Sequence, residues 1–211
     1  MHLKECEFRF RLENNHLFKK SIEAMKYFAI TINLNGELEQ LAREGQQLLK
    51  KHLSIKFIST NSPCPHITLE GGLYGNQNSV LTAMSEVANK TLPFSIKANR
   101  LGVFVQESPV IHIRWVNNKA LIQLRQELAE KLIERSNDNP SDSISGYQGN
   151  VDWLPKSTLA FKDSSYDTLP EALRILKPLV FDSILEVKKL ALYEYSDGQP
   201  EKQLDTISLN T

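Results

Sequence analysis

Pro65-His66-Ile67-Thr68-Leu69 and Pro155-Lys156-Ser157-Thr158-Leu159 are built alike: a proline, a basic residue, one further residue, a threonine and a leucine. Each reads as a short strand entered through its proline. Side chains alternate across a strand, so His66 and Thr68 share one face while Ile67 and Leu69 share the other. The apolar pair belongs against helices, which leaves His66 and Thr68 for a groove. The same alternation puts Lys156 and Thr158 together, with Ser157 making the buried face of the second strand less emphatic.

Working outward from the first stretch, residues Tyr27 to Leu34 (YFAITINL) are rich in β-branched and aromatic types and predict a strand. Asn35-Gly36 breaks it. A helix follows to about His52, with Leu38, Leu41, Leu48 and Leu49 on one side. After a polar loop comes the short strand His66 to Glu70, ended by Gly71-Gly72. A second helix covers Ser79 to Lys90, and Phe94 to Val105 returns as a straight or bent strand.

Around the second stretch the order recurs. Val110 to Val116 (VIHIRWV) predicts a strand, and Asn117-Asn118 caps a helix to about Arg135, with Leu121, Leu124, Leu128 and Leu132 as its stripe and Glu127–Lys131 as an i,i+4 pair. Asn137 to Asp152 reads as a mobile polar loop. Ser157 to Phe161 is the short strand. Thr168 and Glu171 form a capping box with Pro170 in the first turn, so a helix runs from there to Lys177-Pro178. Strands Ile184 to Tyr195 and Lys202 to Leu209 follow, joined by Ser196-Asp197-Gly198.

Each half is strand, long helix, short strand after a proline, shorter helix, strand. This predicts an α+β fold: one bilobal, pseudo-twofold domain over residues 26–211, its antiparallel sheets flanking a groove. Residues 1–25 form an N-terminal extension without clear periodicity. The chain has 211 residues, 41% hydrophobic and 24% charged, enough for a sizeable core without disulfides or metal. Lys+Arg and Asp+Glu both number 25, which excludes a generally basic binder of a long DNA duplex but leaves room for a local anion site. No apolar run approaches the ~20 residues that span a bilayer, and the charged N-terminus lacks the apolar core of a signal peptide. Cys6 and Cys64 have no zinc-type spacing, so a reducing cytoplasm is the expected compartment and no metal site is expected.

Brought together by the pseudo-symmetry, the two stretches offer an imidazole, an ammonium and two hydroxyls around one small volume. Hydroxyl donors can hold the non-bridging oxygens of a phosphate, a cation stabilises developing charge, and an imidazole moves a proton near neutral pH. On the strand Val110 to Val116, His112 and Arg114 share the face opposite Ile111, Ile113 and Trp115, so both are expected to line the groove. Arg114 can grip a second phosphate, and His112 is either a second proton-transfer group or a hydrogen-bonded structural histidine. Tyr74 and Trp153 flank the stretches as stacking candidates or as ordinary packing. His2, His16 and His52, and the Lys50-Lys51 and Lys188-Lys189 pairs, read as solvated surface.

Pro65-His66-Ile67-Thr68-Leu69 and Trp153-Leu154-Pro155-Lys156-Ser157-Thr158-Leu159-Ala160 resemble the paired His-x-Thr motifs of the two-histidine (2H) phosphoesterases, which include the 2',3'-cyclic phosphodiesterases and 2'-5' RNA ligase-like proteins. The resemblance runs from about Lys26 to the C-terminus. It implies two ferredoxin-like lobes, no metal or other cofactor, and a cyclic or 2'-5' phosphodiester as substrate, on an RNA end or a small cyclic nucleotide. Carried over, His66 transfers a proton and Thr68 and Thr158 hold the phosphate. Lys156 stands where the second family histidine belongs. An ordinary lysine, with a pKa of ~10.4, is a poor base but can hold a phosphate or donate a proton. Two functions therefore stay open: a monomeric metal-independent phosphoesterase using His66 and Lys156, weakened or altered by the lysine, or a binding module for a phosphorylated ligand in the same groove.

Overall fold

The computed structural model describes residues 26–62, 64–74, 76–138, 145–146, 153–196 and 199–210. The elements run β1 (Lys26–Asn33), α1 (Gly36–Leu53), α2 (Phe57–Asn61), β2 (His66–Tyr74), α3 (Gln77–Ala88), β3 (Phe94–Phe104), β4 (Val110–Trp115), α4 (Lys119–Asp138), β5 (Ser145–Gly146), β6 (Lys156–Ala160), α5 (Leu169–Leu176), β7 (Ile184–Val187), β8 (Lys189–Tyr195) and β9 (Lys202–Ser208). Among the described residues the strands form two sheets, in the orders β5-β2-β1-β8-β9 and β6-β4-β3-β7. All pairings are antiparallel. The architecture is the expected α+β pair of lobes.

The two halves of the sequence do not each keep their own sheet. β3, from the first half, pairs with β4 in the second sheet, while β8, from the end of the chain, pairs onto β1 in the first and carries β9 on its other edge. This exchange explains why the long strand expected over Ile184 to Tyr195 is two strands: β7 closes the edge of one sheet, and after Lys188 the chain enters the other as β8. Helices α3 and α4 pack together over the first sheet, and α1 and α5 pack together with α1 against β6. Phe28, Ile30 and Ile32 of β1, Ile67 and Leu69 of β2 and Leu159 of β6 are buried in one core with Leu49 of α1, Met84 of α3 and Leu128 of α4.

Several local expectations need correction. Gly71 and Gly72 do not end β2 but lie inside it, and Gly71 is where the Tyr27 ring comes closest, since a Cβ there would stand 2.9 Å from its hydroxyl. The stretch expected as a loop before Pro65 contains α2. Its first amides, Lys56 N–H and Phe57 N–H, both donate to Asp163 Oδ2 at 2.7 Å, so the cap comes from the far half of the chain. The capping box at Thr168 does not form: its hydroxyl accepts from Ser165 N–H instead, and Glu171 pairs with Arg174. Lys131 turns from Glu127 to Glu134 and Glu86. Asn118 caps α4 as expected, accepting from Ala120 N–H at 2.9 Å. Within the polar stretch 137–152, Ser145–Gly146 pairs with β2; residues 139–144 and 147–152, the first 25 residues and Asp197-Gly198 lie outside the described residues.

Ser157 is the one polar residue on the buried face of β6, with 0% exposure, and it accepts a hydrogen bond from Trp115 Nε1–H at 3.1 Å. Leaving either group alone in the core costs its desolvation, whereas removing both does not. Trp115→Phe and Ser157→Ala are each expected to lower stability by about 1–3 kcal/mol. The double variant should lose less than the sum, by about 1 kcal/mol, in a urea-denaturation cycle.

Candidate active site

β2 and β6 come from different sheets and lie against one another. Both show the expected alternation. Ile67, Leu69, Ser157 and Leu159 are buried, while His66, Thr68, Lys156 and Thr158 are half-buried on the other face. Register carries this face across each sheet: Asn33 stands opposite His66 and Thr31 opposite Thr68, while Arg114 stands opposite Lys156 and His112 opposite Thr158. The two motif strands thus meet with their polar faces on the same side of their sheets as β1 and β4 neighbours.

The imidazole of His66 has one nitrogen committed. Its Nδ1 lies 2.8 Å from the carbonyl oxygen of Cys64, which only an N–H can satisfy, so the proton sits on Nδ1 and the Nε2 lone pair is available. The ring stacks on Tyr193, with centroids 5.6 Å apart and planes at 25°. Tyr193 is itself braced by Asn33 and Gln203, donating to Gln203 Oε1 at 2.8 Å. Burial, together with the nearby Lys156 charge, pushes the pKa of His66 down to about 4. At neutral pH His66 is therefore neutral, and the Glu201 carboxylate 3.9 Å from Nδ1 is no ion pair in that state.

Lys156 points along its own strand: Nζ donates to Thr158 Oγ1 at 2.9 Å. An ammonium can only donate, so the Thr158 oxygen is the acceptor and its own hydroxyl hydrogen is left to aim elsewhere. Burial draws the lysine pKa below its usual range. The Lys156 charge acts on both His66 and His112, which places the three groups in one electrostatic environment.

His112 and Arg114 do share a face, as alternation requires, and both lean over Gly102 on β3. A Cβ there would lie 2.6 Å from His112 Nε2 and 2.7 Å from Arg114 Cγ, so the close approach depends on glycine. Arg114 is exposed. His112 is not: at 3% exposure, with the Phe104 ring centroid 4.2 Å away and Nδ1 3.2 Å from the Val110 carbonyl, it is a buried structural histidine and not an accessible one. Its pKa falls to about 4, burial being the main cause. Tyr74 is buried against Phe28, and Trp153 carries the Arg125 guanidinium 5.1 Å above its ring, so both are occupied in packing.

Cys64, Tyr193 and Glu201, which no motif in the sequence marks as site residues, all lie against His66. Cys64 is a half-buried free thiol. Tyr193 and Glu201 come from β8 and the approach to β9, strands that only the exchange between sheets brings into the sheet of β2. Their one local signal is the alternation of β8, in which Leu190 and Leu192 face the core and Tyr193 and Tyr195 the other side.

A family model for the 2'-5' RNA ligase superfamily matches residues 36–199. The chain belongs to that superfamily. Solved structures share the fold at low identity. The TT0787 protein of Thermus thermophilus aligns with a TM-score of 0.63 at 18% identity, covering 87% of this chain and 97% of that one. E. coli LigT complexed with 3'-AMP aligns at 0.55 and 18%, covering 89% and 99%. A protein described as a phosphoesterase aligns at 0.54 and 17%, with the same coverages. No curated protein matches. Among the described residues of this superfamily member, no helix is long and apolar enough to cross a membrane, and no three His, Cys, Asp or Glu side chains gather as metal ligands.

The site's titrations predict a pH signature in stability. Folding lowers His66 and His112 from 6.5 to about 4, and raises Glu70 and Glu201 from 4.5 to about 7, desolvation leading in each case. The histidine contribution is full above pH 6.5 and is lost as pH falls; the carboxyl contribution is full below pH 4.5 and is lost as pH rises. Between these limits the four groups bind two protons in either state, and their slopes cancel. His112→Gln removes one rising contribution. Relative to wild type its unfolding free energy should fall by about 1.4 kcal/mol per unit between pH 5 and 6, read from urea midpoints at both values.

Proposed function

We propose that this protein is a metal-independent phosphoesterase that opens a cyclic or 2'-5' phosphodiester on a nucleotide or RNA end, with His66 and Lys156 as its reacting pair. The observation that carries this reading is the meeting of β2 and β6, which sets a neutral imidazole within electrostatic reach of a half-buried ammonium on a strand that, like its own, carries a threonine on the same face. LigT, which shares the fold, is described in complexes with 3'-AMP and ATP, and a phosphorylated ligand of that class suits the imidazole, ammonium and hydroxyls of this site.

His66 serves as general base. Its Nε2 accepts a proton from the attacking water or hydroxyl while the Cys64 carbonyl holds Nδ1–H and fixes the tautomer. The attacking oxygen forms its bond to phosphorus as the bond to the leaving oxygen breaks. Lys156 offsets the charge that develops on the phosphoryl oxygens and gives a proton to the leaving oxygen, a transfer eased by its lowered pKa. Thr68 and the freed hydroxyl hydrogen of Thr158 donate to the non-bridging oxygens. Arg114, opposite Lys156 on the neighbouring strand, extends the positive face toward a further phosphate.

The alternative, a binding module that captures a phosphorylated ligand without turnover, is favoured by one feature: among the described residues no second imidazole reaches the site, since His112 is walled in by Phe104. Assays with a 2',3'-cyclic nucleotide and a short 2'-5'-linked oligonucleotide in EDTA separate the two. The expected result is cleavage that falls about 10²–10⁴-fold in His66→Ala. Equal rates in wild type and His66→Ala would remove His66 from the reaction. Lys156→His is expected to raise turnover; a fall would give the lysine a role that imidazole cannot fill. Calorimetric binding of the same ligands without cleavage would establish the binding module, and no binding at all would overturn both readings.

A further inference from the structure

Beside His66, and unused by the proposed reaction, lies a buried carboxyl group. Glu201 is held from three sides. Its backbone N–H donates to the Asn61 carbonyl at 2.7 Å, Ser62 Oγ donates to Oε2 at 2.8 Å, and the Tyr195 hydroxyl bonds to its carboxyl group. The same Oε2 stands 3.9 Å from His66 Nδ1, the two side chains being only 12% and 11% exposed. Among the described residues no lysine or arginine pairs with Glu201. Burial with no cation of its own disfavours the charge of this carboxyl, so above about pH 7, where it ionises, the carboxylate gains from any positive charge that appears beside it.

That positive charge is the protonated form of His66. Once the ring has accepted a proton at Nε2, it carries a positive charge in a buried site that already faces Lys156, and both burial and the lysine oppose it. The other titratable groups around the ring do not offset this charge. The Cys64 thiol is pushed up by burial, Tyr193 and Tyr195 of β8 are raised well above the usual phenol range, and Glu39 and Arg43 of α1, which lie near Cys64, are paired with one another. Glu201 is the carboxylate within ion-pair distance of the imidazole.

We infer that Glu201 is a positioning residue for His66, its carboxylate stabilising the imidazolium that forms when His66 takes a proton. The inference rests on the phosphoesterase reading but concerns the charge state of the pair, not the substrate. Its consequence is a displaced pH profile. Burial raises Glu201 to about 7, so the carboxylate is present above that pH and absent below it. The acidic limb of turnover should follow the ionisation of Glu201, with a midpoint near 7, and not that of His66 near 4. A group that served structure alone would not set that midpoint.

The test is a pH–rate profile of cyclic-nucleotide cleavage for wild type, Glu201→Gln and Ser62→Ala, joined to a titration of the ring nitrogens of 15N-histidine-labelled protein by NMR. In wild type the His66 nitrogens should shift with a midpoint near 7 as Glu201 ionises. In Glu201→Gln that inflection and the acidic limb should vanish together, and the rate at pH 8 should fall between about three- and tenfold, to the level wild type shows at pH 6. Ser62→Ala keeps the carboxyl but removes the bond that favours its charge, so both midpoints should move to higher pH. An acidic limb near 7 that survives in Glu201→Gln, or His66 nitrogens blind to Glu201, overturns the inference and leaves the phosphoesterase reading intact. A wild type that cleaves nothing overturns that reading and the catalytic role with it, while the NMR inflection still reports whether the two groups are coupled. If Glu201→Gln does not fold, the Ser62→Ala shift decides alone: unmoved midpoints sink the inference.

Discussion

The whole site hangs on the alternation of side chains along two short strands that belong to different sheets. Ile67 and Leu69 on β2, and Ser157 and Leu159 on β6, are drawn into the core beneath the helices, and this leaves His66, Thr68, Lys156 and Thr158 no choice of face. A one-residue slip in either strand would bury a histidine or a lysine and expose leucines. The β-bulge between β1 and β2 limits this discipline to the part that matters. Beyond Thr68 the register shifts, so that Glu70 stands opposite Ile30 and turns toward the helices, where Arg125 of α4 lies 2.9 Å from its carboxylate.

Exchange of strands between the halves supplies the second condition. Because β8 pairs onto β1 and β9 onto β8 while β7 stays behind in the other sheet, neither sheet is complete without residues from both halves of the chain. The same exchange carries Tyr193 under the His66 ring and Glu201 beside it. A histidine at the start of an edge-side strand would otherwise be free to rotate. Here stacking on one side and the Cys64 carbonyl on the other select one orientation and one tautomer.

How much of this was legible follows the range of the interactions. The two motif strands, β1, β4 and the helices with long leucine stripes could be read because their signals are local: period two, period 3.6 and the Asn118 cap all lie within a few residues. The short helix α2 could not, since its N-terminal amides are satisfied by Asp163 from the other half. The split between β7 and β8 and the arrival of Glu201 at His66 are likewise products of non-local pairing. Thr168 shows the converse failure: its local pattern was right for a capping box, but Ser165 offered its hydroxyl a nearer partner.

His66 and His112 make the sharpest comparison. Each presents Nδ1 to the carbonyl two residues before it, each sits on the polar side of its strand, and burial depresses both by a similar amount. Local geometry therefore does not separate the two histidines. Their neighbours do. Over His112, Gly102 lets the ring sink toward β3, Phe104 covers it and the Arg114 stem closes the gap, so its Nε2 faces protein. Around His66 the ring is braced at its face and at Nδ1, and the charge it would gain is met by Glu201. A second imidazole at position 156 would stand on the strand that lies against β2. The one at position 112 stands a strand further away and is sealed. That sealing depends in turn on a single glycine on a neighbouring strand, since any side chain at position 102 would meet the His112 ring.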